Sequence, residues 1–288
     1  MSFCQRSGDN IAMPRCKPQI FLPDYLDASP IMAPLRLVGE GLPSSRWPSR
    51  EELQRRADGL ALRTASGKPL RFVPQGPRAR RFEDKYEPRI YRTGEIQTRA
   101  DNWHDLFNAL AWLAFPQAKA EINRLHYEAA LDERDGQRSR PRDILTLFDE
   151  SGIVVATDDH GLAELVRNFR WKELFWRRRQ EVAGHMGFYL FGHSLYEKAL
   201  FPHLGITAKA LLLPVETGFL DAPLGEQLAA LDQATAERLA RPGALLDPGL
   251  LTPLPFLGVP GWWPGNRDEA FYDNDAYFCP APVRKNPH

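Results

Sequence analysis

Asp101-Asn-Trp-His-Asp-Leu-Phe-Asn-Ala-Leu-Ala-Trp-Leu-Ala-Phe-Pro116 predicts a helix with an apolar body and one unusual polar side. Asp101 or Asn102 is a suitable N-cap, and Phe115-Pro116 ends the helix. At about 100° per residue, the polar side chains of the first two turns fall within one arc, opposite the leucines. They are Asp101, His104, Asp105 and Asn108. A solvent face would normally carry Lys, Arg or Glu, so this arc predicts a site.

Pro116 suits the first turn of a second helix, which we expect to run to about Leu131. Lys119, Asn123 and His126 form a polar stripe on it, separate from the conventional charged face of Glu121, Arg124 and Glu128. Two helices joined by so tight a turn should pack antiparallel, so the two polar stripes should face one pocket. The alternative is a buried structural network in which both histidines bond to backbone carbonyls.

Working outward, the sequence predicts helices and strands in mixed order. Hairpins are expected at Arg89–Thr98, around Thr93-Gly94, and from Ile144–Phe148 to Ile153–Thr157. The other expected elements are a helix at Glu51–Leu60, a strand at Leu70–Val73, helical patterns from Leu162 and from Trp171, a strand at Phe188–Phe191, a helix at Ser194–Phe201, a strand at Ala210–Val215 and a helix at Leu224–Leu239.

This order of elements favours an α+β fold over alternating β and α units. We expect a single mixed domain over residues 51–288, with a central helical hairpin, a small mixed β-sheet and an irregular C-terminal tail rich in Pro, Gly and Trp. Residues 1–50 read as an irregular N-terminal arm, and either Met1 or Met13 could be the true start. The aromatic residues of the tail indicate that it wraps over the core.

Composition narrows the classes of function. The chain has 37 basic and 37 acidic residues, so no overall positive charge favours nucleic acid, and no nucleic-acid partner is expected. Three cysteines without Cys-x-x-Cys spacing, no signal peptide and no long apolar run favour a cytoplasmic protein that does not span a membrane. The sequence also lacks the phosphate-binding loop and the zinc-protease helix motif.

A basic run interleaved with aromatic residues extends from Arg167 to Arg179. Core packing of the aromatic residues and solvation of the charges account for its spacing. The sharper alternative is a contact with phosphate or nucleic acid. The neutral composition weighs against that alternative.

His193 and Glu197 stand four residues apart on an expected helix, which can direct an imidazole and a carboxylate to one point. An ordinary hydrogen bond explains this spacing equally well. Together with the polar stripes they could bind Zn, Mn or Fe through nitrogen and oxygen ligands. The candidate ligands are His104, His126, Asp149, His193 and Glu197.

Gly192-His193-Ser194 after an apolar strand is similar to the nucleophile elbow of α/β hydrolases, but the match is incomplete. Tyr196 stands where the elbow has its second Gly, and only His203 and His288 follow as possible late bases. Ser194 is better interpreted as a residue at the beginning of a helix.

Several motifs together resemble a bacterial family known only as a domain of unknown function. The resemblance extends from about residue 85 to residue 280. It rests on Trp103-His-Asp-Leu-Phe-Asn-Ala-Leu110, Phe115-Pro116, Asn123, His126, Leu145-Thr-Leu-Phe-Asp-Glu150, Gly192-His-Ser-Leu-Tyr-Glu-Lys-Ala-Leu200, Leu257-Gly-Val-Pro-Gly-Trp262 and Phe271-Tyr272. It implies a soluble bacterial protein and brings no activity with it.

The leading hypothesis from the sequence is an enzyme, possibly a metal-dependent hydrolase, that uses a divalent metal or a general base on a small or phosphorylated substrate. The expected catalytic residues are His104, Asp105, Asn108 and His126, with Asp105 orienting an imidazole. The expected binding residues are Lys119, Asn123, Arg142 and Lys198. The alternatives are a non-catalytic protein that binds a ligand or partner in the same pocket, and a purely structural network. Oligomeric state is left open.

Overall fold

The N-terminal part of the chain consists of short helices, a two-stranded sheet and irregular segments. The computed structural model describes residues 19–133 and 138–280, so the possible start at Met13 lies outside the described residues. The elements of this part are α1 (Ala33–Gly39), α2 (Arg50–Gly59), β1 (Arg71–Val73), α3 (Tyr86–Thr93) and β2 (Glu95–Gln97). Strands β1 and β2 are parallel, with Phe72 opposite Ile96.

Three consecutive helices follow, and the first two confirm the helical pair expected from the sequence. They are α4 (Trp103–Ala114), α5 (Pro116–Asp132) and α6 (Arg140–Ser151). Asn102 caps α4 by accepting a hydrogen bond from the backbone N–H of Asp105. Pro116 begins α5 directly after the fully buried Phe115.

A four-stranded mixed sheet forms in the C-terminal half. The remaining elements are β3 (Gly152–Thr157), α7 (His160–Arg167), a π-helical turn (Glu173–Arg177), α8 (Arg179–His185), β4 (Met186–Leu190), α9 (His193–Ala199), β5 (Thr207–Pro214), α10 (Leu224–Ala240) and β6 (Thr252–Pro255). The strand order is β4-β3-β5-β6. β3 is antiparallel to β4 and parallel to β5, and β6 is antiparallel to β5. The expected α+β class with a small mixed sheet is confirmed.

The expected hairpin around Thr93-Gly94 is wrong. Gly94 has φ 77° and ends α3 in the left-handed conformation, donating its N–H to Ile90 O at 2.8 Å. The same Thr-Gly pair therefore ends a helix, and β2 then runs beside β1. A Cβ on Gly94 would lie 2.1 Å from Pro69 O, so the backbones also approach too closely for a side chain.

The expected hairpin from Ile144–Phe148 to Ile153–Thr157 is half wrong. The second segment is β3, but the first belongs to α6. Leu145 and Phe148, three residues apart, are both fully buried on one side of that helix. A short apolar run suits a strand and a buried helix equally well, and here the helix formed.

One contiguous hydrophobic core joins the arm, the helices, the sheet and the tail. It includes Tyr25, which precedes α1, Leu35 of α1, and Tyr272 and Phe278 from the tail, which confirms that the aromatic tail covers the core. Trp103, at the beginning of α4, stacks on Phe21 with ring centroids 5.6 Å apart. No helix in residues 19–133 and 138–280 is long and apolar enough to cross a membrane.

The first turn of α5 is capped from another helix. α5 has no side-chain cap of its own, and Asp232 of α10 accepts hydrogen bonds from the N–H groups of Gln117 at 2.9 Å and Ala118 at 2.8 Å. Asp232 is only 2% exposed, and burial raises its pKa to about 6. This carboxylate fixes the start of the helix that carries the second polar stripe.

Candidate functional site

The polar stripes of α4 and α5 meet, as expected. Lys119 Nζ donates to Asn108 Oδ1 at 2.9 Å, although only 3% of Lys119 is exposed. Asn108 in turn donates from Nδ2 to the hydroxyl of Tyr86 at 2.7 Å. Lys119 also donates to Asp149 Oδ1 at 2.5 Å. A buried cation is stable only when it is paired and hydrogen-bonded, and this one has both kinds of partner.

A cavity of about 290 Å³ opens beside this contact, and we call it the histidine cavity. The predicted residues that line it are His104, Asp105, Asn108, His126, Asp149 and His193. Its volume lies at the lower end of the range for small-molecule pockets. A larger cavity of about 500 Å³ lies beside α1, between residues 24–27 and 39–44, and has no histidine in its lining. Chemistry therefore favours the smaller one.

His104 and His193 contact each other through their Nε2 atoms, 3.2 Å apart, and we call them the imidazole pair. One ring comes from α4 and the other from the beginning of α9. His193 Nδ1 lies 3.6 Å from Asp149 Oδ2. His104 Nδ1 lies 3.6 Å from Glu197 Oε2. The pair is thus flanked by a carboxylate at each outer nitrogen.

The backbone sets the distance between Asp149 and His193. Gly192, just before α9, lies against the junction of α6 and β3, where an added Cβ would be 2.4 Å from Glu150 O and 2.6 Å from Gly152 N. Asp149 directly precedes Glu150, and His193 directly follows Gly192. Only glycine permits this approach of two main chains.

Two of the carboxyl groups that line the cavity, those of Asp149 and Glu87, differ in protonation. Burial alone would raise the pKa of Asp149, but the Lys119 ammonium and His193 together hold it below its usual value. Burial raises the pKa of Glu87, on α3, to about 7, and the charge of Asp149 adds to that rise. The Asn123 amide, which donates to Glu87 Oε2 at 2.6 Å, and the cations Lys119 and Arg142 oppose it.

The buried imidazoles are neutral near pH 7. Burial lowers the pKa of His126 and of His193 to about 4 in each case, against the attraction of Asp149. The Nδ1 atoms of both rings are buried and make no hydrogen bond within the described part of the chain. Asn123 Oδ1 is in the same condition. Buried polar atoms without partners are rare in folded proteins, so their concentration here is a mark of a binding site.

Asp105 does not orient an imidazole. Its carboxylate accepts hydrogen bonds from the Arg99 backbone N–H at 2.7 Å, from Nε at 2.9 Å and from Nη2 at 2.7 Å. Asp105 lies in the first turn of α4, where its side chain reaches back to the residues that precede the helix. Asp149 is the carboxylate nearest to His193 Nδ1.

The remaining predicted binding residues divide into three cases. Asn123 does not line the cavity itself but donates a hydrogen bond to Glu87, which does. Arg142 lines a neighbouring cavity and pairs with Glu133 at 2.5 Å. Lys198 is exposed on α9 and is not part of the cavity lining.

The predicted metal shell is only partly assembled. The imidazole pair brings together His104 and His193 with Asp149 and Glu197, but the ring nitrogens face each other. Within residues 19–133 and 138–280, no group of three His, Cys, Asp or Glu side chains is arranged to hold a metal ion. Metal binding stays a sequence prediction.

Ser194 lies close to an unexpected base. Its Oγ is 3.5 Å from His104 Nδ1. The sequence suggested only His203 and His288 as bases for this serine, but the neighbouring histidine comes from the earlier helix α4. Glu197 reaches the same nitrogen, and its hydrogen bond with His104 holds its pKa below the usual value. The two groups compete for one nitrogen.

Sequence reasoning missed Tyr86 and Glu87. Both belong to α3, which begins just before the segment Arg89–Thr98 that was expected to form a hairpin. A usable signal was present, because Glu87-Pro88 within a first turn is typical of the start of a helix.

Most of the chain matches a known family. The model of a family described as "Protein of unknown function (DUF3025)" matches residues 70–282, which include the histidine cavity and the imidazole pair. No curated protein and no solved structure matches the chain. The match covers more than half of the sequence, and the chain therefore belongs to the DUF3025 family.

Proposed function

We propose that the protein is a hydrolase that cleaves a small molecule in the histidine cavity by general acid–base catalysis. The observation that supports this is the row of contacts Asp149–His193–His104–Glu197, of which the first three residues line the cavity. Two imidazoles in contact, with a carboxylate at each end, form an arrangement suited to accepting a proton from a substrate water and passing it on.

A count of hydrogen atoms supports the role of the imidazole pair as base. When both rings are neutral, they carry two N–H hydrogens for three contacts: the contact between the rings at 3.2 Å, and the approaches to Asp149 and to Glu197, each 3.6 Å, which would have to shorten to become hydrogen bonds. One additional proton fills all three, and the two carboxylates then stabilise the resulting imidazolium.

Glu87 is the matching acid. Its pKa of about 7 keeps a substantial fraction protonated at neutral pH, whereas Asp149 remains ionised beside Lys119. Carboxyl groups that one site holds in different protonation states commonly divide the acid and electrostatic roles between them.

In the proposed reaction, a water oxygen forms a bond to an electrophilic carbon or phosphorus atom, and the water gives one proton to the imidazole pair. The bond to the leaving group then breaks, and protonated Glu87 gives its proton to the leaving oxygen. Transfer of the first proton from the pair to Glu87 through solvent restores both groups. The balance is one water consumed for each bond cleaved.

The test is turnover of p-nitrophenyl acetate, p-nitrophenyl butyrate and p-nitrophenyl phosphate by the intact chain. His104→Gln, His193→Gln and Glu87→Gln should each lower kcat by about 10²- to 10⁴-fold, the usual contribution of one proton-transfer group. His160→Gln is the matched control, because that side chain is 87% exposed on α7. Circular dichroism melting checks that each variant folds.

Two results would reject the hydrolase. One is the absence of turnover above the uncatalysed rate for all three esters. The other is turnover that His104→Gln and His160→Gln reduce equally, because the exposed imidazole has no part in the cavity.

A further inference from the structure

A second cavity adjoins the histidine cavity and has a different character. It measures about 410 Å³, and we call it the arginine cavity after Arg138 and Arg142 in its lining. Tyr86, Glu87, His126 and Thr146 line both cavities. A ligand that occupies one therefore has direct access to the wall of the other.

The charges that line the arginine cavity are mostly positive. Lys85, Arg138 and Arg142 contribute three cations, and Glu133 and Glu87 contribute carboxyl groups. Glu87 is charged only in part at neutral pH, since its pKa is about 7. The groups that line the cavity therefore carry a net positive charge, although Asp143, outside the lining, pairs with Arg138 Nε at 3.0 Å.

Polar atoms without partners point to a missing ligand. His126 is 3% exposed, and its Nδ1 makes no hydrogen bond within the described residues. Arg142 Nε is also buried without a hydrogen-bond partner. Each such atom carries a desolvation cost that a bound polar group would remove.

One carboxylate of the protein itself, that of Glu133, is already held at this place. The Glu133 carboxylate accepts from Arg142 Nη1 at 2.5 Å and from the backbone N–H of Ser139 at 2.7 Å. Ser139 is the N-cap of α6, and the positive end of a twelve-residue helix adds to the attraction of Arg142. The local donors therefore suit a carboxylate, and Arg142 Nε remains without a hydrogen-bond partner.

We infer that the arginine cavity binds an oxyanion, a carboxylate or a phosphate, of the same small molecule whose reacting bond lies in the histidine cavity. This inference rests on the proposed hydrolase and adds its substrate class, small anionic esters or phosphate esters. The anion anchors the substrate at Arg138 and Arg142, and His126 and Glu87 separate the anchor from the imidazole pair.

The experiment measures binding of inorganic phosphate and of propionate to the intact chain by isothermal titration calorimetry. Arg138→Gln and Arg142→Gln should each weaken the preferred anion by about tenfold or more, as expected for loss of a charge-assisted contact. Arg124→Gln is the matched control. Arg124 is on α5, two residues before His126, but it pairs with Glu121 and Glu128 and lines neither cavity. Arg138 is 45% exposed, so its variant stays informative if Arg142→Gln fails to fold.

Each outcome decides the inference. It is supported if either anion saturates a single site, Arg138→Gln weakens that binding about tenfold or more, and Arg124→Gln changes the affinity less than about twofold. The anion that binds more tightly then identifies the substrate group. Saturable binding that Arg138→Gln leaves unchanged overturns the inference, because the anion then binds elsewhere. It is overturned if the wild type shows no saturable binding of either anion up to about 50 mM, or if Arg124→Gln weakens binding as much as Arg138→Gln.

The same variants separate this inference from the hydrolase. His104→Gln should retain wild-type anion affinity while losing turnover, because the imidazole pair does not line the arginine cavity. Anion binding that depends on Arg138 without any hydrolysis would leave the oxyanion site standing and reject the proposed function.

Discussion

The first turn of α5 and the polar stripe that follows it are both buried against carboxylates, yet they differ in how completely their polar atoms are paired. At the first turn, both oxygens of Asp232 accept a backbone N–H. Along the stripe, Lys119 donates to Asn108 and Asp149, but His126 Nδ1 and Asn123 Oδ1 have no hydrogen-bond partner in the described chain. Complete pairing marks a structural contact, and incomplete pairing beside a cavity marks a place for a ligand.

The largest effect should come from Lys119→Met, which breaks the paired part of the stripe. It leaves Asp149 buried beside His193 without its cation, so we expect a loss of about 3 to 5 kcal/mol in the free energy of unfolding. Urea denaturation gives that value. Turnover should fall as well, because an unpaired Asp149 takes up a proton and no longer stabilises the imidazolium.

Lys172→Met is the control for this change. Lys172 pairs with Glu269 and Asp273 at the surface, where ion pairs contribute little. Equal destabilisation by the two variants would contradict the assignment of Lys119 as the buried cation of the site.

Asp232→Ala tests the other region. It leaves the buried N–H of Ala118 and that of Gln117 without their acceptor, so we expect a loss of about 1 to 3 kcal/mol in the free energy of unfolding. Turnover per folded molecule should stay unchanged at a temperature well below the melting point. A fall in kcat without a fall in stability would show that the two ends of α5 do not differ as described.

The smallest effect is the dependence of kcat/KM on pH. It compares Glu87 and Asp232, two buried carboxyl groups with raised pKa, of which only Glu87 lines the cavity. Below about pH 4, His193 binds a proton and cannot act as base, and above about pH 7, Glu87 loses the proton that it donates. The profile should therefore be a bell that falls about tenfold per pH unit on each side. Asp232→Asn should leave both limbs in place, although burial raises the pKa of Asp232 to about 6. An alkaline limb that persists in Glu87→Gln would contradict the acid role.

The sequence predicted α4 and α5 well because several signals agreed. Asn102 supplied a cap, Pro116 supplied both an end and a beginning, and the apolar side of α4 had helical spacing. The contact of Lys119 with Asn108 followed from the tight turn between the helices. The two hairpins failed because Gly94 and the run before Asp149 suit a helix end and a buried helix as well as a turn and a strand.

The site was predicted in part for a related reason. His104 and His126 stood out as polar residues on apolar helices, whereas Glu87 stood in a segment to which the sequence assigned no element. Its unusual pKa arises from burial by distant parts of the chain, which no local pattern reports. The pairing of Asp105 with Arg99 could not be predicted either, because Arg99 precedes the helix on a segment without regular structure.

Gly192 gives the imidazole pair a property that side-chain packing alone would not. Because the main chain of this residue rests directly on Glu150 and Gly152, the separation of Asp149 and His193 depends on two peptide backbones rather than on rotamers. Rotamer changes of neighbouring side chains on warming or in mild denaturant should therefore alter this spacing little until the helix and the sheet separate. The carboxylate and the imidazole would then lose their arrangement together, as a single cooperative event.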